Sequence, residues 1–162
     1  MVELRLATPT DFTALMALSV ELMEYNIGLG QRRPRRWEDG RTPYFRSFVS
    51  NALDDPSTHH VVVAEESDRI VATCHTALKG ADDPCPAYVH TLIVTARCRG
   101  RGIGRRLLDD AFAWCAARGA DEVGLNVAWP ATAARRFYEA YGFEPVNTML
   151  VRAVDLDPPA PL

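Results

Sequence analysis

Residues 87–94, AYVHTLIV, run almost without a polar break and lead into RCRGRGIGRRLLDD at 97–110. An apolar run of this length, bounded by turn residues, reads as a strand buried on both faces, with helices above and below its sheet. The next stretch sets Gly100, Gly102 and Gly104 among Arg97, Arg99, Arg101, Arg105 and Arg106. Glycine and arginine are poor core material. Beyond them Ile103, Leu107, Leu108, Ala111, Phe112 and Cys115 recur at helical spacing, and Gly119 stops the run. A buried strand, a glycine-rich loop and a helix N-terminus thus follow one another directly.

The flanking segments extend this unit. VELRLA (2–7) alternates and reads as a strand. Thr8 is a candidate helix cap, with Pro9 at the first helical position and Asp11 in the first turn. Phe12, Leu15, Met16, Ser19, Leu22 and Met23 give a first helix ending near Gly28. Thr42 and Pro43 repeat the cap signature before a shorter helix with Tyr44, Phe45, Phe48, Val49, Ala52 and Leu53 on its apolar face. Residues 59–66 and 70–79 are β-rich and separated by a short turn, a hairpin. After the long helix, 121–129 reads as a strand, and Pro130 opens a helix that stops at Gly142. Residues 144–156 hold one or two last strands, and DPPAPL ends the sequence as a polar, proline-rich tail at 157–162. The expected fold is α/β: one domain over 1–156 with a mixed, mostly antiparallel sheet of six or seven strands and helices on both faces.

Composition narrows the function. The chain has 162 residues and a net charge of −3, so no general attraction to nucleic acid or membrane follows. Of its 18 basic residues only Lys79 is lysine, a bias that reduces the information in any single arginine. Cys74, Cys85, Cys98 and Cys115 form no C-x-x-C pair, and no signal-peptide pattern is present, which fits a reduced, cytoplasmic protein. His59 and His60 are adjacent, so in a strand they face opposite ways and make a poor metal pair; no metal is expected.

The glycine loop suits an anion. Glycine allows positive φ and close approach of a ligand to the backbone. Unpaired N–H groups at a helix start attract negative charge. Arg105 and Arg106 lie in the first turn, where the helix dipole opposes cations, and a phosphate would relieve that conflict. The P-loop spacing G-x-x-x-x-G-K-[ST] is absent, and the third glycine comes one residue early for G-x-G-x-x-G. An exposed turn enriched in Arg and Gly by codon bias is the other reading of the loop taken alone.

Arg99-x-x-Gly102-x-Gly104, opening a helix after HTLIV, resembles the acyl-CoA motif of the GCN5-related N-acetyltransferases. Leu125 and Val127 followed by ARRFYEAYGF (134–143) resemble the same family's next strand and helix. The resemblance implies acetyl-CoA as acyl donor, its pyrophosphate cradled by backbone amides of Arg99, Gly100, Arg101, Gly102, Ile103 and Gly104, with Arg105 helping electrostatically. It also implies that the central strand splays from the next one, so that the backbone around Leu92, Ile93 and Val94 receives the pantetheine arm, with Phe137 nearby. Many members carry Asn six residues before the Phe of the F-Y pair; here Ala131 stands there. Asn126 is a possible substitute, an edge hydrogen bond being its other reading.

Acetylating an amine needs a neutral amine, a polarised carbonyl and a stabilised thiolate. An amine of pKa about 10.4 is less than ~0.1% neutral at pH 7, so a proton acceptor helps. His90 on the central strand matches a position where some aralkylamine acetyltransferases carry a relaying histidine; a structural histidine is the alternative. Tyr88, two residues earlier, is a weaker candidate. Tyr138 matches the tyrosine the family sets near the thioester sulfur. Full proton transfer from a phenol to a thiolate is uphill by about 2 kcal/mol, so a hydrogen bond to the developing thiolate is expected first. Cys98 has no His/Asp partner at recognisable spacing and reads as a bystander thiol, so direct transfer in a ternary complex is expected.

The resemblance places the acceptor, a small-molecule or peptide amine, among the first two helices, the loop between them and the last strands. Arg32, Arg33, Arg35, Arg36 and Trp37 in that loop either bind an acidic acceptor or form a solvated surface. Tyr25, Tyr44 and Phe45 line an apolar wall or pack in the core. A non-catalytic acyl-CoA sensor of the same fold is the competing function. Homodimers are common in the family, and this sequence does not reveal one.

Overall fold

The computed structural model describes residues 1–30, 43–80, 83 and 85–148. Strand β1 (Glu3–Leu6) leads through a 3-10 turn, Pro9–Asp11, into α1 (Phe12–Gly28). Helix α2 (Pro43–Asp54) precedes the hairpin of β2 (His59–Glu66) and β3 (Arg69–Leu78). Then come β4 (Ala87–Val94), α3 (Ile103–Ala116), β5 (Val123–Leu125) and α4 (Thr132–Tyr141). The sheet order is β1-β2-β3-β4-β5. Every neighbouring pair is antiparallel except β4 and β5, which are parallel across the α3 crossover.

Alternation along β2 sorts the core into two layers. Val61 and Val63 pack with Leu15 of α1 and with Val49 and Ala52 of α2. Val62 and Ala64 pack with Ile103, Leu107, Leu108 and Ala111 of α3. Both faces are buried, which is why the strand reads as a continuous apolar run rather than an alternating one. Leu107 and Leu108 are fully enclosed. Gly119, at φ 78°, and Gly142, at φ 115°, end α3 and α4 in the left-handed region, where a side chain would strain the backbone.

Two expectations are corrected. The described residues hold five strands, not six or seven. Of the segment expected to supply the rest, 144–148 is not strand and 149–162 lies outside the described residues. The strand expected over 121–129 is only Val123–Leu125. The physical reason is its partner: only Ala87, Tyr88 and Val89 of β4 pair with it before the two strands part.

At the start of α1, Asp11 accepts hydrogen bonds from the Thr8 N–H at 2.8 Å and from Arg5 at 2.8 and 3.0 Å. The Arg5 bond, then those of Thr8, outweigh burial and lower the Asp11 carboxyl to about 2. The unfolded value is about 3.9. A depressed carboxyl stabilises the fold above its unfolded pKa and loses that contribution as pH falls through the folded one. Urea titrations between about pH 4 and pH 2 should therefore show wild type losing about 1–2 kcal/mol more than Asp11→Asn, the full linkage being reduced because Arg5 is exposed.

Candidate functional site

The site forms where β4 and β5 diverge. Their ladder ends at Val89↔Leu125, and the next part of β4 has no partner on that edge among the described residues. Thr95 N–H donates to Val71 on β3, so its neighbour in the alternation, Val94, turns its backbone to the open edge, as does Leu92. Ile93, between them, faces β3 and is buried, so it does not line the open edge as expected. Leu92 and Val94 side chains pack on the α3 layer with Phe137 and Tyr138 of α4. A Cβ added to Gly104 would lie 3.5 Å from Phe137 and 3.7 Å from Val94. Expected site residues from β4, α3 and α4 thus converge on one slot.

At the slot's end lies the glycine loop. Gly100 and Gly102 take φ values of 74° and 75°, and Gly102 caps α3. Among the described residues, no backbone N–H from Gly100 through Arg105 has a hydrogen-bond acceptor; the first to find one is Arg106, on the Gly102 carbonyl. Such a run of unpaired donors at a helix start is a cradle for an anion. Ile103 contributes its N–H while its side chain sits in the core.

The arginine side chains do something else. Arg99 folds back, donating from Nε to the Val94 carbonyl at 3.0 Å, with its guanidinium 4.6 Å from the Tyr25 ring centroid. It therefore occupies one of the edge groups expected to receive pantetheine. Arg101 is held by Glu66 at 2.6 and 3.1 Å. Arg106 reaches the Val2 carbonyl. Arg105 stacks on Tyr141 at 5.4 Å from the centroid and stays beside the cradle. The helix-dipole conflict expected of Arg106 is thus eased by a carbonyl within the chain.

Tyr138 packs edge-on against Phe137 and Phe143. Its hydroxyl has no hydrogen-bond partner among the described residues, and burial, then the nearby Cys74 thiol, holds the phenol above its ordinary value. A proton so held is kept on oxygen and donated as a hydrogen bond. Cys74, Cys98 and Cys115 are buried, and Cys98 contacts Arg101 and Glu66 rather than a histidine.

On the other face of the sheet, His90 is the extra residue of a β-bulge, opposite the His75–Thr76 step. The bulge is why Val89 and Leu92 share the α3 face while His90 turns toward α2, open to solvent. Its ring lies 5.0 Å from those of Phe48 and Tyr88. Desolvation, then the His59 and Lys79 charges, holds its pKa well below the ordinary histidine value, so it is neutral at pH 7. Tyr88 lies beside it, with Lys79 4.7 Å from its ring centroid.

Several other expectations find their places. Asn126 lies just past β5, exposed and unpartnered among the described residues. Ala131 is buried as the cap of α4, its N–H on the Ala128 carbonyl. Arg32, Arg33, Arg35, Arg36 and Trp37, and the side chains of Tyr44 and Phe45, lie outside the described residues. His60 meets Asp110 and Trp114 on the α3 face, away from His59. Arg135, which the sequence did not flag, stacks on exposed Trp129 and keeps its Nε buried without an acceptor. Among the described residues no helix is long and apolar enough to cross a membrane, and no group of His, Cys, Asp and Glu is arranged to hold a metal.

A parallel strand pair that parts beside an amide cradle matches the arrangement that the family resemblance implies. A family model for the Acetyltransferase (GNAT) family matches residues 22–143, and the chain belongs to that family. No curated protein matches it. Among solved structures, a GCN5-related N-acetyltransferase from Ralstonia eutropha is 20% identical with a TM-score of 0.77, over 94% of this chain and 99% of that one. A predicted acetyltransferase with acetyl-CoA from Clostridium acetobutylicum is 19% identical with a TM-score of 0.73, over 94% and 96%. The enzyme AAC(6')-Iy, in complex with a bisubstrate analog, CoA-S-monomethyl-acetylneamine, is 14% identical with a TM-score of 0.71, over 96% and 99%. All three share the fold.

Proposed function

We propose that this protein transfers the acetyl group of acetyl-CoA to a primary amine of a small molecule or peptide, directly within a ternary complex. The observation that carries the reading is the unpaired run of N–H groups from Gly100 to Arg105 at the end of the β4–β5 gap. The amides of that run hold the pyrophosphate, with Arg105 adding charge. The open backbone edge of Leu92 and the N–H of Val94, whose carbonyl Arg99 takes, hold the pantetheine arm, over Gly104 and Phe137. When bound, acetyl-CoA supplies an activated thioester carbonyl. His90 accepts the proton of the attacking amine, and Tyr138 donates a hydrogen bond to the departing sulfur. Asn126 takes the amide contact that Ala131 cannot make.

Two findings support direct transfer. No cysteine near the cradle has an activating histidine among the described residues. AAC(6')-Iy, which shares the fold, is held in complex with a bisubstrate analog, CoA-S-monomethyl-acetylneamine, and that supports the reading. The four free cysteines suit a reducing, cytoplasmic setting.

The test is thiol release from acetyl-CoA with polyamines, amino acids, aromatic ethylamines and N-terminal peptides. Turnover with at least one amine, and sequential rather than ping-pong kinetics, is expected. Binding of acetyl-CoA without turnover would instead identify a sensor. A thermal transition that acetyl-CoA does not raise would dismiss both.

A further inference from the structure

Three histidines stand in a row across β2, β3 and β4 on the face that α1 and α2 cover. His59 Nδ1 and His75 Nε2 are hydrogen-bonded at 3.0 Å. The ring centroids of that pair are 5.2 Å apart, and those of His75 and His90 are also 5.2 Å apart. The second pair stands at the same ring separation as the first, with the exposed His90 ring beside buried His75. Phe48 of α2 packs on both His75 and His90, at 4.9 and 5.0 Å, and keeps the middle of the row covered. His75 is 5% exposed, whereas His59 is half-buried and His90 open. The row therefore connects solvent at the start of β2 with the bulge of β4 through one buried ring.

Among the described residues no carboxylate bonds any of these rings, and they are not arranged to share a metal. Lys79, just past the end of β3, also acts on His90 through its charge. We propose that His75 and His59 relay the proton that His90 takes from the acceptor amine, carrying it across the sheet to water. The inference rests on the acetyl-transfer reading of the site.

The step balances. The N–H bond of the acceptor ammonium breaks, and its proton goes to the ring nitrogen of His90 that faces the amine. The proton on the other nitrogen of His90 passes to His75 Nδ1. The proton on His75 Nε2 passes to His59 Nδ1, and that on His59 Nε2 passes to water. One proton leaves the amine and one reaches solvent, and no electrons are exchanged. Once product has left, His59 Nε2 takes a proton from water, the transfers run back along the row, and His90 gives its amine-side proton to water, so each ring regains its first tautomer. The route requires His75 to carry its resting proton on Nε2.

Burial, then the His90 and His59 charges, lowers His75 to about 3, and His90 is held low as described above. Neither ring holds a proton at neutral pH, and the row offers a proton accepted at His90 a second path, through His75 to His59, beside direct release to water.

His59→Ala in the full chain tests this, with acetyl-CoA and the fastest amine of the thiol-release screen. The expected result is a fall in kcat of about tenfold, little change in either KM, and recovery when imidazole is added to the buffer. Merely structural damage would not be repaired by imidazole. A second measurement needs no acceptor: 15N-imidazole spectra of the wild type at pH 7 should show His75 protonated on Nε2 and not on Nδ1. Unchanged kcat in His59→Ala, a loss that imidazole does not repair, or the opposite His75 tautomer overturns the relay. If His90→Gln slows turnover while His59→Ala does not, acetyl transfer stands and the relay alone falls. If the wild type acetylates no amine, both fall together.

Discussion

Replacing Tyr138 by Phe should lower kcat about 100- to 1,000-fold while leaving acetyl-CoA affinity and folding stability nearly unchanged. The size follows from where the charge develops. As the C–S bond breaks, negative charge gathers on sulfur in a site largely screened from water, and a pre-positioned O–H donor there is worth far more than in solution. The structure leaves that hydroxyl unpaired among the described residues, so removing it breaks no existing bond, and the ring keeps its contacts with Phe137 and Phe143. The phenol pKa is raised by burial, so proton transfer to the thiolate is steeper than the ordinary uphill cost of about 2 kcal/mol. On the proposed reading Tyr138 donates a hydrogen bond and keeps its proton. Two measurements decide it: steady-state kinetics against the same amine, and calorimetric titration with acetyl-CoA. Turnover in Tyr138→Phe equal to wild type would remove Tyr138 from the chemistry. Weakened acetyl-CoA binding with unchanged kcat would make it a binding residue instead.

The parts of this chain that were legible in its sequence are those fixed by local pattern. AYVHTLIV is β4 from Ala87 to Val94, because a nearly unbroken apolar run marks a strand even though His90 within it is exposed. Gly119 and Gly142 stop their helices because only glycine takes those φ values without strain. The glycine loop could be placed between strand and helix for the same local reasons. What stayed hidden depends on the register between strands. The bulge at His90 exists only because β3 and β4 slip past each other there, and no periodicity within AYVHTLIV signals it. Ile93 looked like a site residue until the β3 ladder showed which way its backbone turns. His59 and His75 become neighbours only once β2 and β3 pair, sixteen residues apart in sequence. The arginines were hidden for another reason: a long side chain reaches several acceptors, and Glu66 and the carbonyls of Val2 and Val94 claim three of the five.

That division points to the backbone, not the arginines, as the grip on the acyl donor, and Gly102 is where the two ideas separate. Gly102→Val should weaken acetyl-CoA binding about 100-fold and destabilise the fold by about 1–2 kcal/mol. The stability cost is conformational. A Cβ at Gly102 would meet nothing within 4 Å, so no clash is involved, but φ is 75°, which a β-branched residue strongly disfavours. The loop would relax out of that conformation and re-aim the N–H groups that now lack acceptors. Losing one or two bonds to a charged oxygen, at about 1.5–3 kcal/mol each, gives the expected affinity change. Gly104→Ala is the control. Gly104 is helical, and its new methyl would sit in ordinary contact with Phe137 and Val94. That variant should be as stable as wild type or up to about 1 kcal/mol more stable, and should bind acetyl-CoA better than Gly102→Val does. Arg101→Ala should leave affinity nearly unchanged, since its guanidinium is already committed to Glu66. Calorimetric titration of the three variants ranks the contributions. If Arg101→Ala lost as much affinity as Gly102→Val, the side chains would be doing the holding. The free amides from Gly100 to Arg105 would then need another explanation.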